Sequence, residues 1–218
     1  MKNISGDKQK RRSPTMIVIV DYGMGNLGSI RNTFQRLNID ALISSQPEDL
    51  LHAEKIILPG VGSFDRGMHN LKDLGLISAL RACVLDNRIP FLGICLGMQL
   101  LSQRSDEGEK NGLQWIDAET VRFRFNDNNR IKIPHMGWNA INPVNADPVT
   151  SRLTHDDRFY FVHSYHISNI DDDLIRGITD YGYSFPSLIR QDNIVGIQCH
   201  PERSHGSGMK ILKNFLEV

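Results

Sequence analysis

The chain has 218 residues, 40% of them hydrophobic and 23% charged, with 25 basic and 25 acidic side chains and no formal net charge. That length fits one domain, or at most two small ones, and buries a core without covalent staples. Neutrality excludes a global field that would draw the chain to nucleic acid or a membrane surface. Three cysteines, Cys83, Cys95 and Cys199, are odd in number and lack CxxC spacing, which argues against a disulfide framework and a cysteine zinc site.

Residues 1–15 carry five basic side chains against Asp7, a net +4 that leaves −4 for the rest. This polar stretch reads as a disordered basic arm or an expression remnant. It lacks the apolar core of a secretory leader, and its KQKRR run reads as solvated. The longest apolar runs, such as 89–96, are far short of a membrane span. The expectation is a cytoplasmic chain with neither nucleic acid nor membrane as partner.

Order begins at 16–20, MIVIV, a β-branched run of the kind buried on both faces of a parallel sheet. Asp21-Tyr-Gly-Met-Gly-Asn26 turns it into a helix near 27–37, and a second strand follows at roughly 40–44. Residues 55–58 form a third strand, stopped by Pro59-Gly-Val-Gly62. A helix near 71–87 leads to a strand over 90–95, and 96–103 is helical again. This rhythm predicts an α/β fold, flavodoxin-like, with an open, mostly parallel sheet and helices on both faces. Residues 119–145 and 158–168 read as short strands whose hairpins extend one sheet edge in antiparallel fashion. A last buried strand is expected over 194–199 and a closing amphipathic helix over 208–216. Residues 16–218 thus read as a single domain.

The strongest chemical signal is Gly93-Ile-Cys95-Leu-Gly97 at a strand-to-helix junction. A nucleophile in such an elbow has crowded backbone dihedrals, and glycines two positions to either side relieve the crowding. The helix start favours a thiolate, and the Leu96 N–H is placed to receive an oxyanion. Cys83, in a helix, and Cys199, in a strand, read as small core residues. A thiol nucleophile needs a base, and the base an orienting acceptor. His200-Pro-Glu202 supplies both at a strand end. His52, His69, His155 and His205 read as surface residues. His163 and His166 lack the acidic or thiol partners that would complete a metal site. The 59–62 turn ends a different parallel strand and can face the elbow, which makes Val61 N–H a candidate second oxyanion donor, the alternative being an ordinary tight turn.

These residues resemble the class I (triad) glutamine amidotransferases. Gly93–Gln99 and His200-Pro-Glu202 carry that likeness. Asp21–Leu27, Pro59–Phe64, Pro134–Asn139 and Phe161–Tyr165 resemble, within it, the glutaminase subunits of imidazole glycerol phosphate synthases, from about residue 16 to the end. The resemblance implies Cys95 as nucleophile, His200 as acid and base, and Glu202 as orienter. It implies an oxyanion hole at Val61 and Leu96, and glutamine held by Gly60, Gln99, Ser164 and Tyr165. His135, Met136, Trp138, Asn139 and Arg203 are implied to face a partner, a (β/α)8 cyclase subunit, with neither cofactor nor metal involved. Bottom-up, Met136 and Trp138 could equally be an edge-strand core. His200-Pro-Glu-Arg203-Ser-His205 departs from the usual Lys and Gln, as in relatives that feed ammonia to a sugar amidotransferase, so that partner stays open. A catalytically silent structural subunit and an unrelated thiol hydrolase are the readings from other classes. The intact Cys95, His200 and Glu202 oppose the first, and Gln99 with the 134–139 segment opposes the second.

Overall fold

The computed structural model describes residues 16–125 and 131–218, so the expectation for residues 1–15 lies outside the described residues. In chain order the elements are β1 Ile17–Val20, α1 Leu27–Arg36, β2 Ala41–Ser44, α2 Pro47–Leu51, β3 Lys55–Gly60, α3 Phe64–Asp73 and α4 Leu76–Arg81. Then come β4 Phe91–Cys95, α5 Leu96–Gln99, β5 Arg104–Ser105, β6 Glu119–Arg122, β7 His135–Asn139 and β8 Asn142–Pro143. The chain closes with β9 Phe159–His163, β10 Tyr165–Ser168, β11 Ile175–Asp180, β12 Ser184–Gln191, β13 Ile194–Ile197 and α6 His205–Leu216.

The main sheet has eight strands in the order β2-β1-β3-β4-β13-β12-β11-β8. The pairs from β2 through β13 are parallel, and β12, β11 and β8 add antiparallel strands at one edge. Strand alternation divides the core in two. Ile17, Ile19, Ile57, Leu92 and Val195 face α1 and α6 through Phe34, Ile211 and Phe215. Val18, Val20, Ile56, Leu58 and Phe91 face α2, α3 and α4 through Leu50, Met68 and Leu80. Both faces of the parallel strands are covered, which is why these strands read as unbroken apolar runs.

Three expectations are corrected. The helix expected over 71–87 is broken: α3 starts earlier, at Phe64, and ends where Gly75 takes a left-handed φ of +67° before α4 and a π-helical turn over Ala82–Asp86. The helix expected over 96–103 is a single turn ending at Gln99. The antiparallel extension comes chiefly from the β11–β12 hairpin, a segment without a sequence assignment. Of the 119–145 and 158–168 stretches only β8 joins that edge; β7 pairs with β9, and β6 lies between β10 and β5, in two separate small sheets. No described helix is long and apolar enough to cross a membrane.

Strands β3, β4 and β13 are neighbours and end together. Gly60 stands opposite Cys95, and Ile197 opposite Ile94. The carboxyl edge of an open parallel sheet is where loops converge to form a site.

Candidate active site

Cys95 ends β4 in a backbone conformation, φ +54° and ψ −109°, that L-residues seldom adopt. The flanking glycines are required by packing as well as by the turn. A Cβ on Gly93 would lie 2.6 Å from the Gly97 carbonyl oxygen, and one on Gly97 would overlap the Leu58 carbonyl oxygen of β3. The elbow is thus wedged between two strands. Because α5 is only one turn long, its dipole at the sulfur is small, and individual donors gain importance. One of them is a residue without a sequence assignment: Gln198, fully buried, puts Nε2 3.6 Å from the Cys95 sulfur.

His200 leaves β13 and Glu202 follows in the turn Pro201–Arg203, with Glu202 Oε1 2.8 Å from His200 Nδ1. Both side chains are 4% exposed. The Tyr160 carbonyl accepts the His200 main-chain N–H at 2.9 Å, and the Ser204 hydroxyl donates to the His200 carbonyl at 2.6 Å, so β9 braces His200. Burial opposes a proton on His200, but the Cys95 and Glu202 negative charges outweigh it and raise its pKa to about 10. His200 therefore rests as an imidazolium. His200 Nε2 and Glu202 Oε2 have no hydrogen-bond partner among the described residues. Cys83 and Cys199 are shut in the core, where burial pushes both thiols up, Cys199 strongly.

Cys95 opens into a cleft of about 320 Å³ lined by Val61, Leu96, Gln99, Glu107, Ser164 and Tyr165, among others. Val61 is half exposed at its mouth, and Gly62 beside it holds φ +125°. Gly60 lies behind the lining, packed so closely on Leu96 and the buried Tyr22 hydroxyl that no side chain fits there. Gln99 has both amide hydrogens committed inside the protein, to the Tyr165 carbonyl (2.9 Å) and Gln198 Oε1 (3.1 Å), leaving its Oε1 for a ligand. Glu107, which lacks a sequence assignment, sits across the cleft and accepts the Phe64 N–H at 2.7 Å; burial raises its pKa. It arrives from the loop after β5, where no local pattern marks it.

The stretch expected to face a partner divides by strand alternation. Met136 and Trp138 are 60% and 50% exposed. The exposed Trp138 ring stacks on His205, and Arg203 lies 4.2 Å above the Tyr160 ring, so Arg203 joins the same face. Asn139 is half-buried. His135 is a correction: at 2% exposed it packs beneath this face against Phe161 and Tyr181, because alternate residues of β7 point inward. His163 and His166 are likewise buried, in an aromatic cluster around Phe123. His52, His69, His155 and His205 are exposed, as expected.

The family model described as "Glutamine amidotransferase class-I" matches residues 18–218. The chain is 49% identical to the imidazole glycerol phosphate synthase subunit HisH 2 of Methanococcus maripaludis over 93% of this chain and 99% of the relative. It is 41% identical to subunit HisH 1 of the same organism, over 93% of this chain and 100% of the relative. A solved structure of a glutamine amidotransferase superposes with a TM-score of 0.70 at 18% identity, covering 92% of this chain and 97% of the other.

Proposed function

The chain belongs to the class I glutamine amidotransferases, and from that premise we propose that it is the glutaminase subunit of a cytoplasmic synthase, releasing ammonia from glutamine through a thioester on Cys95. The observation that carries this reading is the strained elbow that holds Cys95 among His200, Glu202 and Gln198 at the edge of a cleft. The thiolate attacks the side-chain amide carbon of glutamine, and the oxyanion is received by the main-chain N–H groups of Leu96 and Val61. His200 gives its proton to the departing nitrogen, which leaves as ammonia. It then takes a proton from the water that opens the thioester to glutamate. Glu202 holds the imidazole by Nδ1 and stabilises its charge. The Glu107 carboxylate suits the ammonium group of the substrate, and Ser164 and Tyr165 supply main-chain partners.

Ammonia is protonated and lost in bulk water, so a second protein must receive it. Arg203, on the face with Met136, Trp138 and His205, lines the cleft that reaches His200 and Glu202. An exposed Trp beside a planar cation is the composition of an interface hot spot. The relatives' names support another subunit of imidazole glycerol phosphate synthase as the occupant, and the family resemblance makes it a (β/α)8 cyclase subunit of histidine biosynthesis. One observation favours a second reading. The chain is more similar to HisH 2 than to HisH 1 of one organism and carries Arg203 and His205. Arg203 and His205 stand where the family pattern has Lys and Gln, and on that departure a sister subunit feeding a sugar amidotransferase is the second reading.

The experiment is glutamate release by the purified chain, alone and with each partner and its acceptor ligand. Activation by at least about 10²-fold with the cyclase is the expected outcome, on the scale of one oxyanion donor. Activation by a sugar amidotransferase only moves the chain to the second reading. A glutamine-like affinity label should modify Cys95 and spare Cys83 and Cys199, and Cys95→Ser should abolish turnover in a folded protein. Label on either other cysteine would overturn the nucleophile assignment.

A further inference from the structure

Two buried arms of hydrogen bonds meet at the Tyr165 carbonyl, and one ends on the nucleophile. A main-chain carbonyl only accepts, so the part of Gln99 that lies 2.9 Å from it is the NH2 group. The same NH2 is 3.1 Å from Gln198, which must therefore present its oxygen. The Gln198 NH2 is then left facing the Cys95 sulfur. One carbonyl thus sets the direction of two amides, because turning either would bring two acceptors together.

The other arm holds that carbonyl. It accepts from His163 Nδ1 at 2.8 Å, so the proton of His163 sits on Nδ1. Burial lowers the pKa of His163 and keeps the ring neutral, so its Nε2 accepts from His135 Nδ1 at 3.0 Å. Burial likewise takes the pKa of His135 to about 4, and its Nε2 accepts from the Asn139 amide at 3.2 Å. The second Asn139 amide hydrogen goes to the Asp180 carbonyl. From β7 to the sulfur every donor meets an acceptor, and only one assignment of amides and tautomers allows it.

We propose that Gln198 is a catalytic residue, the side-chain hydrogen-bond donor that holds the Cys95 sulfur as a thiolate, with His163 as its positioning residue through the Tyr165 carbonyl. The proposal rests on Cys95 being the nucleophile. An N–H aimed at sulfur favours the charged form, since hydrogen bonds to ions exceed those to neutral groups. Gln198 is wholly buried, so no solvent acceptor competes with the sulfur for its N–H. A reversed amide would set oxygen lone pairs against the thiolate.

The test uses the full-length chain and iodoacetamide, following the alkylation rate of Cys95 by peptide mapping from pH 5 to 10. The titratable groups facing Cys95 are His200, Glu202, Tyr22, Cys199, Glu107 and His163, and the Gln198 variants keep all six. Gln198→Met keeps the length and removes the donor. It should move the pH of half-maximal alkylation up by about one to two units, and slow the reaction at pH 7 by about 10-fold or more. Gln198→Glu should move it at least as far. His163→Leu should shift it the same way by less, and His163→Asn, whose amide replaces the Nδ1 donor, should restore it. An unchanged profile in Gln198→Met overturns the proposal. A shift there without one in His163→Leu removes His163 from it. Should Gln198→Met fail to fold, the His163 pair decides by whether Asn restores what Leu loses. If Cys95 of the unaltered chain reacts no faster than Cys83 and Cys199, the nucleophile reading itself fails, a result distinct from a flat Gln198→Met profile.

Discussion

His200 and Glu202 are two residues apart, and the turn at Pro201 folds them back on one another at 2.8 Å. Their near-complete burial makes the contact matter, because no water competes for Nδ1. If Glu202 acts only by holding and stabilising the imidazolium, Glu202→Gln should lower kcat by about 10²-fold or more and leave the KM for glutamine nearly unchanged. Steady-state kinetics with the activating partner present provides the check, and a variant with near-normal kcat would assign the orienting role elsewhere. Gln99 carries the opposite lesson. Its donors are spent on Tyr165 and Gln198, so only its oxygen is left for a ligand, and its amide orientation is part of the sulfur's surroundings.

The elbow between β4 and α5 is where an element, and not one side chain, determines the chemistry. Gly97 lies against the Leu58 carbonyl of β3, and Gly93 against the Gly97 carbonyl, so strand and helix are in backbone contact. A methyl group at Gly97 cannot be absorbed by a flexible side chain, since the atom it meets is main chain. Gly97→Ala should therefore destabilise the protein by more than about 2 kcal/mol and displace Cys95. Denaturant unfolding gives the first quantity and the alkylation rate of Cys95 the second. A variant that is both stable and reactive would mean that β3 and β4 can separate at no cost. The hairpin of β11 and β12 supports the site from its other flank, where Ser187 accepts the Gln198 main-chain N–H at 2.9 Å through its carbonyl.

At the scale of the molecule, stability is linked to pH from both sides. Burial lowers the pKa of His135, His163 and His166, so these rings protonate more readily in the unfolded chain. Their contribution is full above the ordinary histidine value of 6.5 and is lost as pH falls toward about 4, the folded value of His135. His200 works in the opposite sense. Its pKa is raised to about 10, so its contribution is full below 6.5 and is lost as pH rises through about 10. The thermal midpoint should peak near pH 6.5 and fall by about 5 °C by pH 5. Cys95→Ser should reduce the slope of the alkaline limb, because one of the two charges that hold the His200 proton is gone. A midpoint that is level from pH 5 to 7.5 would show that the buried histidines take up protons without penalty.

Runs such as MIVIV and FLGIC alternate between two covered faces, so the parallel strands, and with them the elbow at Cys95 and the exit at His200 and Glu202, were legible from residue pattern alone. The partners of β6, β7, β9 and β10 were not. Their pairings join segments tens of residues apart, and period-two alternation says which residues share a face without saying which strand lies alongside. The β11–β12 hairpin, interrupted by Gly177 and Pro186, lacks the apolar run that marked the other strands. His135 sits between an exposed-looking Met and Trp in sequence, and only the register of β7 against β9 turns it inward. The direction of the Gln198 amide is further still from local pattern. It depends on a carbonyl in β10, an amide in α5 and a sulfur at the end of β4. Sequence by itself determined which side chains are candidates for the chemistry; tertiary structure decided how they are aimed, because a hydrogen bond's polarity is set by what stands opposite it.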